Sequence, residues 1–197
     1  MKRRNPWVSI ADLLSSVVLI LLLLFVIAIV TPKLSQENQK HAMMQQLDQT
    51  MTAYKINDQT PVKVDIDAGK LEFTDVTFPS GSAVLNPATN EIIRQLAGNL
   101  KSYIDENPKI NILIEGHTDP SKVQRVKNAG GYFEDNIQLS TLRAANFRKA
   151  LLQFMGEGYD DKIGVAGYGE TRLRNKENKL APENRRIEIR ILWDGKE

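Results

Sequence analysis

Residues 110–119 read INILIEGHTD, a stretch in which a β-strand pattern runs into a polar turn. Ile110, Ile112 and Ile114 occupy every second position, which is the period of a strand with one buried face. The tetrapeptide that follows, residues 116–119, contains a glycine and is polar, and polar strand ends often carry functional sites. We therefore expect a strand here with a candidate site at its end.

Two amphipathic helices are predicted on either side of this strand. Residues 88–106 carry apolar side chains at three- and four-residue spacing, and Pro108 ends the pattern. Beyond the polar turn, Ser140 is the expected N-cap of a second helix, which the glycines at positions 156 and 158 end. Each helix has one apolar face and must pack that face against another element.

Three more stretches show the alternation of strands. Residues 61–74 contain two alternating runs joined by Ala68-Gly69 and predict a hairpin. Residues 163–166 and the isoleucines within 187–191 predict two further strands. Strands interleaved with two helices predict an α+β fold, with an α/β sandwich domain over residues 61–197.

The N-terminal region has the properties of a membrane span. Residues 7–30 read WVSIADLLSSVVLILLLLFVIAIV, with one charged residue in 24. At about 1.5 Å per residue a helix of this length reaches roughly 36 Å, enough to cross a ~30 Å hydrocarbon core. Three basic residues precede it and only Lys33 follows closely, which predicts a cytoplasmic N-terminus, a single pass within residues 1–32 and an external C-terminal part. The alternative is a cleaved signal peptide, against which the length of the apolar stretch argues.

Asp12 is the one charge inside this apolar stretch. A carboxylate at such a position costs a few kcal/mol and is functional by default. Ser15 and Ser16 follow at the helical spacings that share its face, and the apolar stretch offers it no cation. The three residues are candidate ion-translocating groups, for which proton and sodium remain open because hydroxyl oxygens can serve either. The alternative is an acid that reaches the cytoplasmic interface and has no function.

Residues 33–60 are polar and glutamine-rich, with apolar side chains at helical intervals. These are Met43, Met44, Leu47, Met51 and Tyr54. The spacing predicts a short amphipathic linker helix, which could act as a plug or pair with a second copy. A partly ordered spacer is the alternative.

Composition excludes several classes of function. After residue 30 the chain carries 23 basic and 23 acidic residues, so it lacks the positive patch expected of a nucleic-acid-binding domain. The absence of cysteine excludes a disulfide scaffold, a thiol nucleophile and a thiolate metal site. With two histidines and no catalytic constellation, neither a His-rich metal site nor an enzyme is expected.

The C-terminal part of the chain resembles the OmpA-like peptidoglycan-binding domain over about 120 residues. The matching residues, in order, are Phe78, Gly81-Ser82-Ala83, Leu85, Gly116-His117-Thr118-Asp119, Asn136, Leu139-Ser140, Arg143-Ala144, Gly167-Tyr168-Gly169 and Asn184-Arg185-Arg186-Ile187-Glu188-Ile189. In that family a loop aspartate and a helix arginine hold the zwitterionic end of the peptidoglycan stem peptide, usually diaminopimelate. The resemblance implies these roles for Asp119 and Arg143, with Thr118, Asn136 and Leu139 shaping the pocket.

The chain departs from this family between the two site residues. The intervening segment is longer than usual and includes Lys122, Arg125, Lys127, Gly130-Gly131 and Tyr132-Phe133. The pocket rim is therefore expected to differ, and the bound group need not be standard diaminopimelate. An internal ion pair between Asp119 and Arg143 is the alternative to a ligand site. Asn184-Arg185-Arg186 is expected to brace the fold rather than contact the ligand, and His117 is expected to be a buried or hydrogen-bonded loop residue rather than a catalyst.

Residues 7–15, WVSIADLLS, resemble the start of the MotB family of flagellar stator subunits and of the related Zorya anti-phage subunit. The combined resemblance implies a peptidoglycan-anchored B subunit of an ion-driven rotary motor in the bacterial inner membrane. It implies a homodimer whose two Asp12 helices lie within a ring of MotA-like multi-pass subunits, expected to be a pentamer. No cofactor is implied beyond the transported H⁺ or Na⁺. The competing interpretation is a passive tether between membrane and cell wall.

Overall fold

The computed structural model describes residues 6–53, 62–74, 77–79, 81–123 and 132–193. Contacts divide the chain into two units, residues 1–42 and 43–197. Helix α1 spans Pro6–Phe25, a π-helical segment spans Val26–Val30, and α2 spans Thr31–Thr52. This continuous helix contains one stretch long and apolar enough to cross a membrane, and α1 has no buried residue.

The helix does not end at Thr31-Pro32, where the sequence predicts the end of the span. The backbone N–H of Thr31 donates to the carbonyl of Val26, five residues back, and its hydroxyl donates to the same oxygen over 3.2 Å. Proline has no N–H to give to the normal ladder. The wider turn before Pro32 shifts the hydrogen-bond register, so the helix continues past the proline.

A five-stranded mixed sheet forms the centre of the second unit. The strands are β1 (Val62–Asp65), β2 (Lys70–Phe73), β3 (Ile110–His117), β4 (Ile163–Gly167) and β5 (Arg186–Trp193), in the order β1-β2-β5-β3-β4. Only the β3–β4 pair is parallel among these neighbours, and α4 (Asn136–Met155) makes the connection between the two strands. The predicted hairpin is β1–β2, and the α+β fold class is confirmed.

Helices α3 (Asn90–Glu106) and α4 pack against one face of this sheet. The apolar alternation predicted for the strands supplies the sheet side of the core, and the spacing in α3 supplies the helix side. The fully buried members of the core include Phe73, Ile93, Leu96, Ile114, Phe147, Leu151 and Ile189. The rings of Phe73 and Phe147 meet edge to face at 4.8 Å, which fixes α4 on β2.

The end of α2 belongs to this core. Met43, Met44, Leu47 and Met51 are all buried in the same cluster as the strand isoleucines. The sequence interpretation assigned these residues to the linker 33–60, whereas the contacts group them with the folded unit because their apolar face is covered there. Tyr54 lies outside the described residues.

Helix α4 begins at Asn136, four residues before the predicted N-cap. Asp135 caps it, since its Oδ1 accepts from the backbone N–H of Gln138 over 2.7 Å. Ser140 is instead buried inside the helix, where its hydroxyl donates to the Ile137 carbonyl and accepts from the N–H of Gly169 over 2.9 Å. The serine therefore joins the helix to the loop after β4.

Two glycines let α4 approach the sheet at backbone contact. Gly116 and Gly167 are register partners on β3 and β4. A Cβ on Gly116 would lie 2.0 Å from the carbonyl oxygen of Ser140, and one on Gly167 would lie 2.0 Å from Oγ1 of Thr141. No side chain fits at either position without moving the helix.

Candidate functional site

The five predicted binding residues of the folded unit line one cavity. It has a volume of about 330 Å³ and opens beside the end of β3 and the first turns of α4. Its walls are Gly81, Thr118, Asp119, Ser121, Lys122, Val123, Asn136, Leu139, Arg143 and Arg185. The fold therefore brings together residues that are up to 104 positions apart in sequence, counted from Gly81 to Arg185.

Asp119 supplies the one negative charge among these lining residues. It is 6% exposed, and its Oδ2 accepts a hydrogen bond from Nη1 of Arg185 over 2.7 Å. Its Oδ1 accepts from the backbone N–H of Ser121 over 2.9 Å. Burial alone would raise the pKa of Asp119, but the bonds from Arg185 and Ser121 outweigh it and hold this pKa below 3.8. The carboxylate is thus charged and fixed in direction.

Arg143 lies in the second turn of α4 with 3% of its surface exposed. Its Nε donates to the carbonyl of Ser82 over 2.8 Å, and Nη2 lies 3.4 Å from the carbonyl of Pro79. The guanidinium carbon sits 5.3 Å from the ring centre of Phe78. Neutral groups from the segment before α3 therefore orient the guanidinium.

Among the described lining residues, Lys122, Arg143 and Arg185 are cationic and Asp119 is anionic. A planar guanidinium forks onto a carboxylate, and a carboxylate accepts from an ammonium group. The cavity can therefore hold a small zwitterion, with its carboxylate on the arginine side and its ammonium at Asp119.

Arg185 lines the cavity, although the sequence favoured a bracing role for it over ligand contact. The bracing role expected for residues 184–186 fits Asn184, which is buried and donates to the carbonyls of Asn175, Asn178 and Lys179. Arg186 faces away and bonds Glu188 over 2.6 Å. Among the described residues, the ion-pair partner of Asp119 is Arg185 and not Arg143. Adjacent residues entering a strand point to opposite sides, and this alternation was the available signal.

The rim of the cavity carries part of the longer segment noted in the sequence. Lys122 lines the opening, and Phe133 is buried with Ala83 and Leu139 in a small separate cluster. Tyr132 is exposed and donates to Glu134 over 2.5 Å. Arg125, Lys127 and Gly130-Gly131 lie outside the described residues.

In the N-terminal unit, Ser15 and Ser16 lie in the turn after Asp12. The hydroxyl of Ser16 donates to the backbone carbonyl of Asp12 over 2.9 Å, and that of Ser15 donates to the carbonyl of Ala11 over 2.8 Å. Both hydroxyl protons are thus used by the backbone, and the hydroxyl oxygens keep free lone pairs.

Residues 77–187 match the OmpA family, which is more than half of the chain and includes every residue that lines the cavity. The chain belongs to the OmpA family. This confirms the family and the fold that the spaced motifs predict for the C-terminal part.

The OmpA-family chain is also similar to motility proteins. Motility protein B of Bacillus subtilis is 27% identical over 167 residues, which are 83% of this chain and 60% of that protein. A MotB-like protein from Desulfovibrio vulgaris has a solved structure with a TM-score of 0.59 and 22% identity, covering 81% of this chain and 95% of that one. The periplasmic domain of Helicobacter pylori MotB gives a TM-score of 0.54 at 22% identity, over 67% and 81% of the two chains. These likenesses confirm the predicted MotB resemblance at the level of the fold.

Proposed function

We propose that this chain is the peptidoglycan-anchored B subunit of an ion-driven rotary motor. One observation carries the proposal: an apolar helical stretch able to span a membrane contains a single acid, Asp12, in the same chain as an OmpA-family cavity with an oriented carboxylate and guanidinium. Anchoring to the cell wall alone would not require a carboxylate within the membrane span. The similarity to Motility protein B, which extends over 83% of the chain, supports the same reading.

The cavity would bind the peptidoglycan stem peptide through its zwitterionic end. Arg143, with Lys122 and Arg185 nearby, would take the carboxylate, and Asp119 would take the ammonium. Thr118, Asn136 and Leu139 would shape the walls. Such charge-assisted bonds are strong where both partners are shielded from water, as Asp119 and Arg143 are.

The first unit would carry the ion. With the N-terminus in the cytoplasm and the OmpA-family domain in the periplasm, Asp12 would take H⁺ or Na⁺ from outside and release it inside. Two copies of the chain would place their Asp12 helices inside a ring of five MotA-like subunits. Alternation of the charge on Asp12 would then drive the ring around a dimer held to the wall. The chain would act as an anchor and an ion carrier, and would catalyse no covalent chemistry.

A passive tether between the inner membrane and the cell wall is the second candidate. The observation that favours it is the extent of the family match, residues 77–187, which leaves Asp12 outside. In that case the wall-binding cavity would carry the whole function.

The deciding experiment is co-expression with a MotA-like membrane protein and co-purification in mild detergent, with subunits counted by native mass spectrometry. The motor predicts two copies of this chain inside a larger ring, and ion uptake that Asp12→Asn abolishes. Glu37→Gln, which removes an exposed acid from α2, is the matched control and should leave uptake intact. A wall-binding chain that purifies without a ring and tolerates Asp12→Asn in cells is a passive tether.

A further inference from the structure

The face of the sheet that points away from α3 and α4 carries an ordered grid of charge. Glu72 on β2 is the register partner of Glu188 on β5, and Glu188 is that of Glu115 on β3. These three carboxylates form one row across three strands, and all three side chains are buried. The rows on either side are basic. They consist of Lys70 with Arg190, and of Arg186 with His117.

Each carboxylate of the central row already has a cation. Lys70 lies 2.8 Å from Glu72, to which Arg174 also bonds. Arg186 lies 2.6 Å from Glu188, and Arg190 lies 2.9 Å from Glu115. The negative charges of the grid are therefore neutralised within the protein, and this row has little attraction left for a metal ion.

A second cavity, of about 410 Å³, opens over this grid beneath the loop that follows β4. Its lining residues are Lys70, His117, Thr171, Arg172, Leu173, Lys176, Arg186, Glu188 and Arg190. Five of them are lysine or arginine and one is an acid. Arg172 and Lys176 have no carboxylate partner among the described residues, so the lining keeps an excess of positive charge.

Two of the lining residues also hold buried nitrogens without a hydrogen-bond partner in the described part of the chain. They are both ring nitrogens of His117, a residue 2% exposed, and Nη1 of Arg186. A guanidinium nitrogen can only donate, so it requires an acceptor. The ring of His117 stacks on Tyr168 at 5.5 Å, and the guanidinium of Arg172 lies 3.6 Å from the centre of the Tyr168 ring. This stack holds the loop arginine close to the unsatisfied groups.

We propose that this second cavity is an oxyanion site that takes a phosphate group, held by Arg172, Lys176 and the buried donor of Arg186. Guanidinium groups match the oxygens of phosphate in pairs, and a lysine adds a point charge. The site is separate from the cavity at Asp119. Arg185 and Arg186 are consecutive, yet each lines a different one of the two. The phosphate could be free in solution or could belong to a lipid headgroup.

His117 can report on the site because it lines the cavity. The chain has only one other histidine, His41, so its NMR signals are easily assigned. Burial, followed by the positive charge of Arg186, lowers the pKa of His117 to about 4. The charged groups that face it are Glu115 on its own strand, Arg186, Glu188 and Arg190 on β5, Lys70 on β2, and Arg172 and Lys176 on the loop. An anion in the cavity favours the imidazolium form, so phosphate should raise the pKa of His117.

The test uses the full chain in uncharged detergent, titrated with millimolar inorganic phosphate while the imidazole resonances are followed by NMR. The expected result is a saturable shift at His117, a higher pKa for that ring and no shift at His41. Arg172→Gln and Lys176→Gln should each weaken binding about tenfold. Lys179→Gln, an exposed lysine on the same loop that does not line the cavity, should bind as the unaltered chain does.

A second arm places the chain in bilayer discs of zwitterionic lipid, with and without phosphatidylglycerol. A shift at His117 that needs phosphatidylglycerol assigns the site to a lipid headgroup, whereas a shift with soluble phosphate in both discs assigns it to a free phosphate. The proposal is overturned if neither source shifts His117, or if the shift is equal in all three variants. It is equally overturned if Zn²⁺ binds at Glu115, His117 and Glu188 where phosphate does not. Arg172, Lys176 and Lys179 are all exposed, so none of these outcomes depends on a variant that fails to fold.

Discussion

Nη1 of Arg185 donates to Oδ2 of Asp119 over 2.7 Å, and this bond joins the start of β5 to the loop after β3. The two side chains are 66 positions apart in sequence and line the same cavity. Arg185 thus fixes the charge and the direction of the carboxylate that is proposed to receive the ligand's ammonium group.

Replacing Arg185 with Gln should weaken ligand binding about tenfold, because Asp119 loses its charged partner and its fixed orientation. The measurement is a calorimetric titration of the chain with a stem peptide that carries diaminopimelate. Arg94→Gln, which breaks the exposed Arg94–Glu91 pair on α3, is the control and should leave the affinity unchanged. Equal losses in both variants would contradict a specific role for Arg185.

The same bond predicts how stability depends on pH. The pKa of Asp119 is lower in the folded chain than its ordinary value of 3.8, so the ion pair stabilises the fold fully above that value. The contribution is lost as pH falls through the lower, folded pKa. Compared with Asp119→Asn, the unaltered chain should be more stable at neutral pH, and the difference should shrink below about pH 4. Urea unfolding at a series of pH values, followed by hydrogen exchange of the β3 and β5 amides, measures the difference in stability. A difference that does not change with pH would refute the prediction.

Gly116→Ala should destabilise the folded unit by about 1–3 kcal/mol and abolish ligand binding, because the new methyl group collides with the Ser140 carbonyl and displaces α4. Gly98→Ala is the matched control. Position 98 lies inside α3, and no atom beyond its own stretch of helix backbone lies within 4 Å of an added Cβ, so alanine should stabilise the chain by about 0.5–1 kcal/mol. Urea unfolding and the stem-peptide titration together check both changes.

Leu47→Ala should cost about 2–5 kcal/mol of unfolding free energy, since Leu47 is fully buried in the core. Gln46→Ala, at the neighbouring exposed position of α2, should change it by less than about 0.5 kcal/mol. If the two variants unfold alike, the end of α2 does not contribute to the core in solution.

Period and spacing were enough to predict the main elements of the fold. The isoleucines of β3 and β5 and the apolar stripe of α3 gave the sheet and its helix layer, because burial of one face leaves a direct mark on the sequence. The start of α4 was misplaced since Ser140 has the chemistry of an N-cap, and only the folded chain shows that its hydroxyl faces the loop at Gly169.

The candidate site likewise contains residues that the sequence predicts and residues that it does not. Asp119 and Arg143 stand in recognisable motifs, whereas the role of Arg185 depends on which side of β5 it faces. The charge grid could not be predicted from the amino-acid sequence. Alternating Lys70, Glu72, Glu188 and Arg190 have the pattern of a solvated face, whereas the structure buries Glu72 and Glu188. An irregular loop that covers a strand leaves no periodicity in the sequence.

The paired glycines at 116 and 167 have a further consequence for selectivity. Because β3 and α4 meet at backbone contact, the end of β3, which leads into Asp119, lies at a fixed distance from the second turn of α4, which carries Arg143. If the cavity binds a zwitterion as proposed, it should favour one whose charged ends are spaced to reach both Asp119 and Arg143, and bind one that is a methylene longer or shorter more weakly.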